Sequence, residues 1–198
     1  MTEQMSTGTR ARILTAATEL MRRQGYGATS VKQLTAAARA PIGSLYHHFP
    51  EGKQQIAAEA LRTSGAAYIQ LLPLLMDPYE DLREAVPAAF AAAAADMERS
   101  GWMNMCPVGT VAGETADSEP RLREVAAEVI ASWVDEGTAY FAGRGMRPES
   151  AREFTVALLS ALEGAFVLAR TLRSAEPLHA AGQAALAHLD RIAAVSRP

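Results

Sequence analysis

Apolar residues in this chain recur every three or four positions from Ile13 to Ile192. Nowhere do they alternate long enough to make a strand. That spacing confines the chain to an all-α fold. Ile13, Leu14, Ala17, Leu20 and Met21 form the stripe of a first helix, which Gly25 closes. Thr29 or Ser30 caps a second helix, Ser30 with Gln33 matching a capping box, and Val31, Leu34 and Ala38 would face the first. Pro41 suits the first turn of a third helix, where its missing N–H costs nothing. Leu45 and Phe49, four apart, take the buried side of that helix and leave Ser44, Tyr46 and His47 outside.

About nine helices are expected in all. The fourth should run from about Glu51 to Leu72, with Pro73 helping to end it. Asp77-Pro78-Tyr79-Glu80 should cap a fifth that reaches Glu98 and kinks at Pro87. The apolar segment from Trp102 to Pro107 should begin a short sixth. Ser118-Glu119-Pro120 should cap a seventh, whose stripe is Leu122, Val125, Val129, Ile130 and Trp133. An eighth helix is expected over about 149–173 and a ninth over about 178–195. The natural division is a three-helix domain at 1–50 and a larger helical domain at 51–198.

Composition narrows the class. At 198 residues, 49% hydrophobic and 21% charged, the chain has enough apolar material for one sizeable core or two small ones. Its one cysteine, Cys106, excludes an intramolecular disulfide and fits a reducing cytoplasm. The longest apolar run, Ala85 to Ala95, is too short to span a bilayer and contains Pro87. No basic segment followed by an apolar core marks a secretory leader. The expectation is a cytoplasmic protein with no membrane partner. Net charge is −3, but residues 1–62 hold eight basic against four acidic side chains, +4, leaving −7 for the remainder. Only the first third is suited to sit on phosphates.

Residues 29–49 read as two short helices joined by a tight turn, too short to be stable alone. Gly43 and Ser44 keep the third helix slim, and Tyr46 offers a hydroxyl to a phosphate oxygen. His47 and His48 are adjacent, poor spacing for a metal and better for phosphate or base contact. The run Gly43-Ser44-Leu45-Tyr46-His47-His48-Phe49-Pro50, followed by Gly52-Lys53, resembles the recognition-helix signature of TetR-family transcriptional regulators, in particular the LmrA/YxaF-like branch. The resemblance implies an N-terminal helix-turn-helix domain and a C-terminal ligand-binding and dimerisation domain. It implies that Thr29 and Lys32 touch the DNA backbone, that Pro41, Gly43, Ser44, Tyr46 and His47 belong to the recognition helix, and that Lys53 contacts phosphate. Two positions depart from the family pattern. Arg39 stands in the turn where relatives usually carry Gly, so a positive φ there would be strained, although its cation near DNA offsets this. Ile42 stands where relatives often carry Lys, replacing a backbone contact by apolar contact with a thymine methyl.

The rest of the chain lacks a catalytic constellation: no Gly-rich phosphate loop, no His-Glu-x-x-His, no Gly-x-Ser-x-Gly. Glu114, Asp117 and Glu119 are not paired with a His or Lys for acid–base work. No enzyme activity, cofactor or metal is expected. Phe90, Met97, Trp102, Met103 and Met105 are candidates to line an effector pocket, together with Cys106, Trp133, Tyr140, Phe141 and Phe166. Each taken singly is more simply plain core, and only as a set do they point to a pocket; Cys106 is most simply a small buried apolar residue, with a redox-sensor role as the alternative. Glu163 is out of place in the middle of an apolar helix.

Small residues at Ala157, Ser160, Ala161 and Gly164 would let another helix approach closely, and Leu178, Ala185, Leu189 and Ile192 offer a second apolar stripe. Two such helices per subunit would make a four-helix interface about a two-fold axis. The family resemblance implies a homodimer built there, and Leu162–Arg170 and Cys106-Pro107-Val108 extend the likeness over the whole chain. The function expected is a ligand-responsive, DNA-binding repressor, released from a near-palindromic double-stranded operator by an apolar or aromatic small molecule. The rival is a helical small-molecule-binding protein or enzyme without DNA binding.

Overall fold

The computed structural model describes residues 8–195, so Glu3, counted in the charge split, lies outside them. Among the described residues there are ten helices and no strand. They are α1 (Thr9–Gln24), α2 (Val31–Ala37), α3 (Ile42–His48), α4 (Lys53–Ile69), α5 (Leu71–Met76), α6 (Leu82–Arg99), α7 (Pro107–Thr115), α8 (Pro120–Gly143), α9 (Pro148–Leu172) and α10 (Glu176–Val195).

The chain divides into two compact units whose boundaries fall within α4 and α8, not at residue 50. The first takes the chain up to Ser64 and returns for Pro107–Val129; the second holds Gly65–Cys106 and Ile130–Pro198. The reason is that α7 packs on α1. In the first unit Ile13, Met21, Leu34, Leu45, Phe49, Ile56, Leu61, Val108, Val111 and Leu122 are fully buried. The short helices α2, α3 and α7 would not hold their shape alone; burial of these apolar faces, about 1.5–3 kcal/mol per large side chain, holds the unit together.

In the second unit α10 packs on α6 and α9. Phe141 and Phe154 meet edge to face at 4.9 Å between ring centroids. Gly137 of α8 lets α9 approach: a Cβ there would lie 2.5 Å from Thr155 Cγ2.

Several boundaries differ from those the sequence predicts. Pro73 does not end α4; it sits in the first turn of a separate helix, α5, where a missing N–H is tolerated. The cap of α6 is Asp81, whose carboxylate accepts from the Arg83 N–H at 2.8 Å, not Asp77. Helix α6 continues through Pro87. Residues 102–106 are not helical, and α7 starts at Pro107. Finally, α9, and not the 85–95 run, is long and apolar enough to cross a bilayer by length and composition alone. Here its inner face joins the core through Phe154, Leu158, Ala165, Phe166 and Ala169.

Candidate nucleic-acid interface and effector cavity

The geometry of the first unit begins with its caps. Ser30 Oγ accepts from the Gln33 N–H at 3.2 Å, and Gln33 Oε1 accepts from the Ser30 N–H at 2.8 Å. This reciprocal pair satisfies two donors that open α2. Between α2 and α3, Arg39 adopts φ 49°, the left-handed region expected of a glycine, and its N–H reaches the Ala36 carbonyl at 3.2 Å. Pro41 is the N-cap of α3, not its first residue, and its carbonyl accepts from Ser44 and Leu45.

Leu45 and Phe49 point inward and are fully buried. Ile42 and Tyr46, one turn apart, are 60% and 47% exposed, with His47 exposed beside them. A Cβ on Gly43 would meet nothing within 4 Å, so this side of α3 is open. Ser44 is half-buried; Lys32 and Arg39 are exposed.

Two predicted contacts are placed differently. Thr29 is fully buried, and its hydroxyl donates to the Gly25 carbonyl at 2.7 Å. It staples the turn after α1 and has no surface to offer to DNA. Lys53 is half-buried; its Nζ donates to the Tyr26 carbonyl at 3.0 Å and lies 4.0 Å from the centre of the Tyr26 ring. Two interactions therefore fix its position.

The second unit holds a partly open cavity of about 470 Å³. Of the residues predicted to line it, Phe90, Met105, Trp133, Phe141 and Phe166 do so. Met97 and Cys106 are buried off the cavity, and Trp102 and Met103 are half-buried away from it. Tyr140 is elsewhere: its hydroxyl donates to Asp77 at 2.7 Å and accepts from Arg144 at 2.9 Å. Tyr68, Leu72, Leu158 and Leu162, and the polar group of Asp96, Arg99 and Asn104, also line it, unpredicted from the sequence. The four-residue spacing of Leu158, Leu162 and Phe166 was the available signal.

Tyr68 lies 5.3 Å from the Trp133 ring, and Trp133 anchors itself by donating its indole N–H to the Gly65 carbonyl at 2.8 Å. Burial pushes the Tyr68 phenol well above its ordinary range, reinforced by Cys106, Glu163 and Asp96. Burial likewise pushes the Glu163 carboxyl up, against a hydrogen bond with Cys106 that lowers it. No group of His, Cys, Asp and Glu among the described residues could hold a metal ion.

The dimer prediction divides. On α9, Ser160 and Gly164 are exposed and Ala157 and Ala161 half-buried, flanked by exposed Val156, Val167, Leu168 and Leu172 that the small-residue argument overlooked. On α10, Leu178, Ala185, Leu189 and Ile192 are buried inside the same protomer. That stripe is used against α6 and α9, so it is not free for a partner.

Comparison with known proteins agrees with this geometry. Residues 13–60 match the model for bacterial regulatory proteins of the tetR family. Residues 83–184 match the C-terminal domain of LmrA/YxaF-like transcriptional regulators. The helix-turn-helix regulator YxaF of Bacillus subtilis is 33% identical over 85% of this chain and 88% of its own length. LmrA of the same organism is 31% identical over 85% and 90%. Among solved structures, a TetR regulatory protein from Rhodobacter sphaeroides superposes with TM-score 0.78 at 21% identity, covering 89% of this chain and 96% of that one.

With a capped α2, an open α3 and these matches along its length, the chain belongs to the TetR family of transcriptional regulators, DNA-binding proteins of the helix-turn-helix type. Its C-terminal region places it with the LmrA/YxaF-like members.

Proposed function

We propose that this protein is a cytoplasmic homodimeric repressor, without enzymatic activity, that leaves its operator when an apolar or aromatic small molecule fills the second unit's cavity. The observation that carries the reading is the cavity itself. About 470 Å³ walled by Phe90, Trp133, Phe141 and Phe166 matches the size and character of small-molecule sites. Asp96, Arg99 and Asn104 supply the few polar groups that orient a ligand.

In the proposed dimer, each α3 reads one half-site, the two lying roughly 34–36 Å apart or somewhat further. Ile42, Tyr46 and His47 face bases or phosphates, with Lys32, Arg39 and Lys53 on the backbone. The exposed apolar residues of α9 pair across the two-fold axis. Switching from 99:1 to 1:99 requires the effector to favour the released state by about 5.5 kcal/mol.

Fluorescence anisotropy with a duplex covering the DNA upstream of the protein's own gene tests this. The protein should retain that duplex, and members of an aromatic small-molecule panel should release it. The variant Ala93→Phe, which narrows the cavity, should retain DNA and resist release. Ligand binding without DNA retention would instead make this a carrier.

A further inference from the structure

Besides the Thr29 hydroxyl on the Gly25 carbonyl and the Thr29 N–H on the Tyr26 carbonyl, the turn after α1 is held by Glu114 and Lys53. Glu114, in the last turn of α7, accepts from the Tyr26 N–H at 2.6 Å and from the Gly27 N–H at 2.7 Å. The same peptide segment presents the Tyr26 carbonyl and ring to Lys53. Both flanking glycines leave the carboxylate room to approach. A Cβ on Gly25, which also has φ +81°, would lie 2.3 Å from Glu114 Oε2; one on Gly27 would lie 2.6 Å from Oε1. The segment Gly25-Tyr26-Gly27 is thus shaped around one acidic side chain nearly ninety residues away.

We propose that Glu114 is a positioning residue for DNA binding: through Tyr26 it holds Lys53 where its free N–H groups meet a phosphate. This rests on the DNA-binding reading above. Glu114 fixes the two N–H groups of the segment, and the segment fixes the lysine by a hydrogen bond and by its ring. A carboxylate accepting two backbone N–H bonds makes a stiff clamp, because charge-assisted bonds are short and strong. Without it only the Thr29 N–H, at 3.1 Å from the Tyr26 carbonyl, still holds that peptide, and the lysine's acceptor shifts out of line.

The sign of the effect separates this role from simple electrostatics. Removing an acidic group near DNA should by itself strengthen binding, since it reduces repulsion of phosphate. Loss of the clamp must weaken it.

The experiment is a salt titration of affinity for the upstream duplex, using the full chain and the variants Glu114→Gln, Lys53→Ala and the double variant. Glu114→Gln should weaken binding and lower the slope of log K against log [salt] by about one, as Lys53→Ala does. The double variant should lose no more than either alone. Gly27→Ala provides a second route, since its methyl displaces the carboxylate without altering Glu114. It should reproduce the Glu114→Gln slope and have no further effect in a Glu114→Ala background. Thermal unfolding of each variant sets the folded fraction. A slope unchanged by Glu114→Gln in folded protein, tighter binding, or additive losses in the double variant would each overturn the proposal. Failure of the wild-type chain to retain DNA would overturn the DNA-binding reading itself, and this inference with it.

Discussion

Cys106 and Glu163 share a hydrogen bond at which the carboxyl is held, while Glu163 Oε1 is buried without any partner. An ionised carboxylate with one oxygen so placed is costly, which is why burial raises its pKa. The neutral acid therefore stabilises the fold fully below the ordinary carboxylate range. That contribution is lost as pH rises through the raised folded value. Glu163→Gln removes the titration. Urea unfolding of both proteins across the range from about pH 4 to 8 should show the variant gaining on the wild type as pH rises. A stability difference independent of pH would show that Glu163 does not titrate in the fold.

Arg39 holds φ 49° without the freedom of glycine. Arg39→Gly should stabilise the free protein by about 1 kcal/mol by relieving the left-handed strain. The same variant removes an exposed cation beside α3, so affinity for duplex DNA should fall. Urea midpoints and anisotropy read the two effects separately. A variant that is less stable would mean that the turn carries no strain.

Ile42 is a large apolar side chain on the open side of α3. Its favourable partner in a groove is the methyl group of thymine. Ile42→Ala should relax preference at one base position in a binding-site selection. Replacing that thymine by deoxyuridine should weaken the wild type by about 1 kcal/mol or more and leave the variant unaffected. Equal sensitivity of both proteins would place Ile42 away from the bases.

Val167 and Leu172 are exposed on α9 at 53% and 64%. Val167→Asp with Leu172→Asp should give a folded monomer in sedimentation, since neither side chain supports the protomer core. Leu189→Asp should instead unfold the protein, because it buries a charge inside the protomer at a cost of several kcal/mol. A dimer surviving the α9 pair would move the interface elsewhere.

Local chemistry made much of this fold legible. The Ser30–Gln33 box, the Gly25 closure of α1 and the inward Leu45–Phe49 pair involve residues a few positions apart, whose bonding is decided by helix geometry alone. The recognition helix was legible for the same reason, since its slim residues and outward side chains lie within eight consecutive positions. Less legible were helix limits near proline: Pro73 can end one helix or sit in the opening turn of another, and only the packing of α5 on α6 chose between them.

By itself, the order of residues determined that helices would form, roughly where, and which stripe of each would avoid water. Periodicity states that a face is covered without stating by what. Tertiary structure alone decided that the Leu178–Ile192 stripe of α10 would cover its own protomer's core, that the aromatic side chains would divide between cavity and solid packing, and that Lys53 would be seated on Tyr26. Those outcomes depend on contacts between segments far apart in the chain, where shape and unpaired polar groups must be matched together.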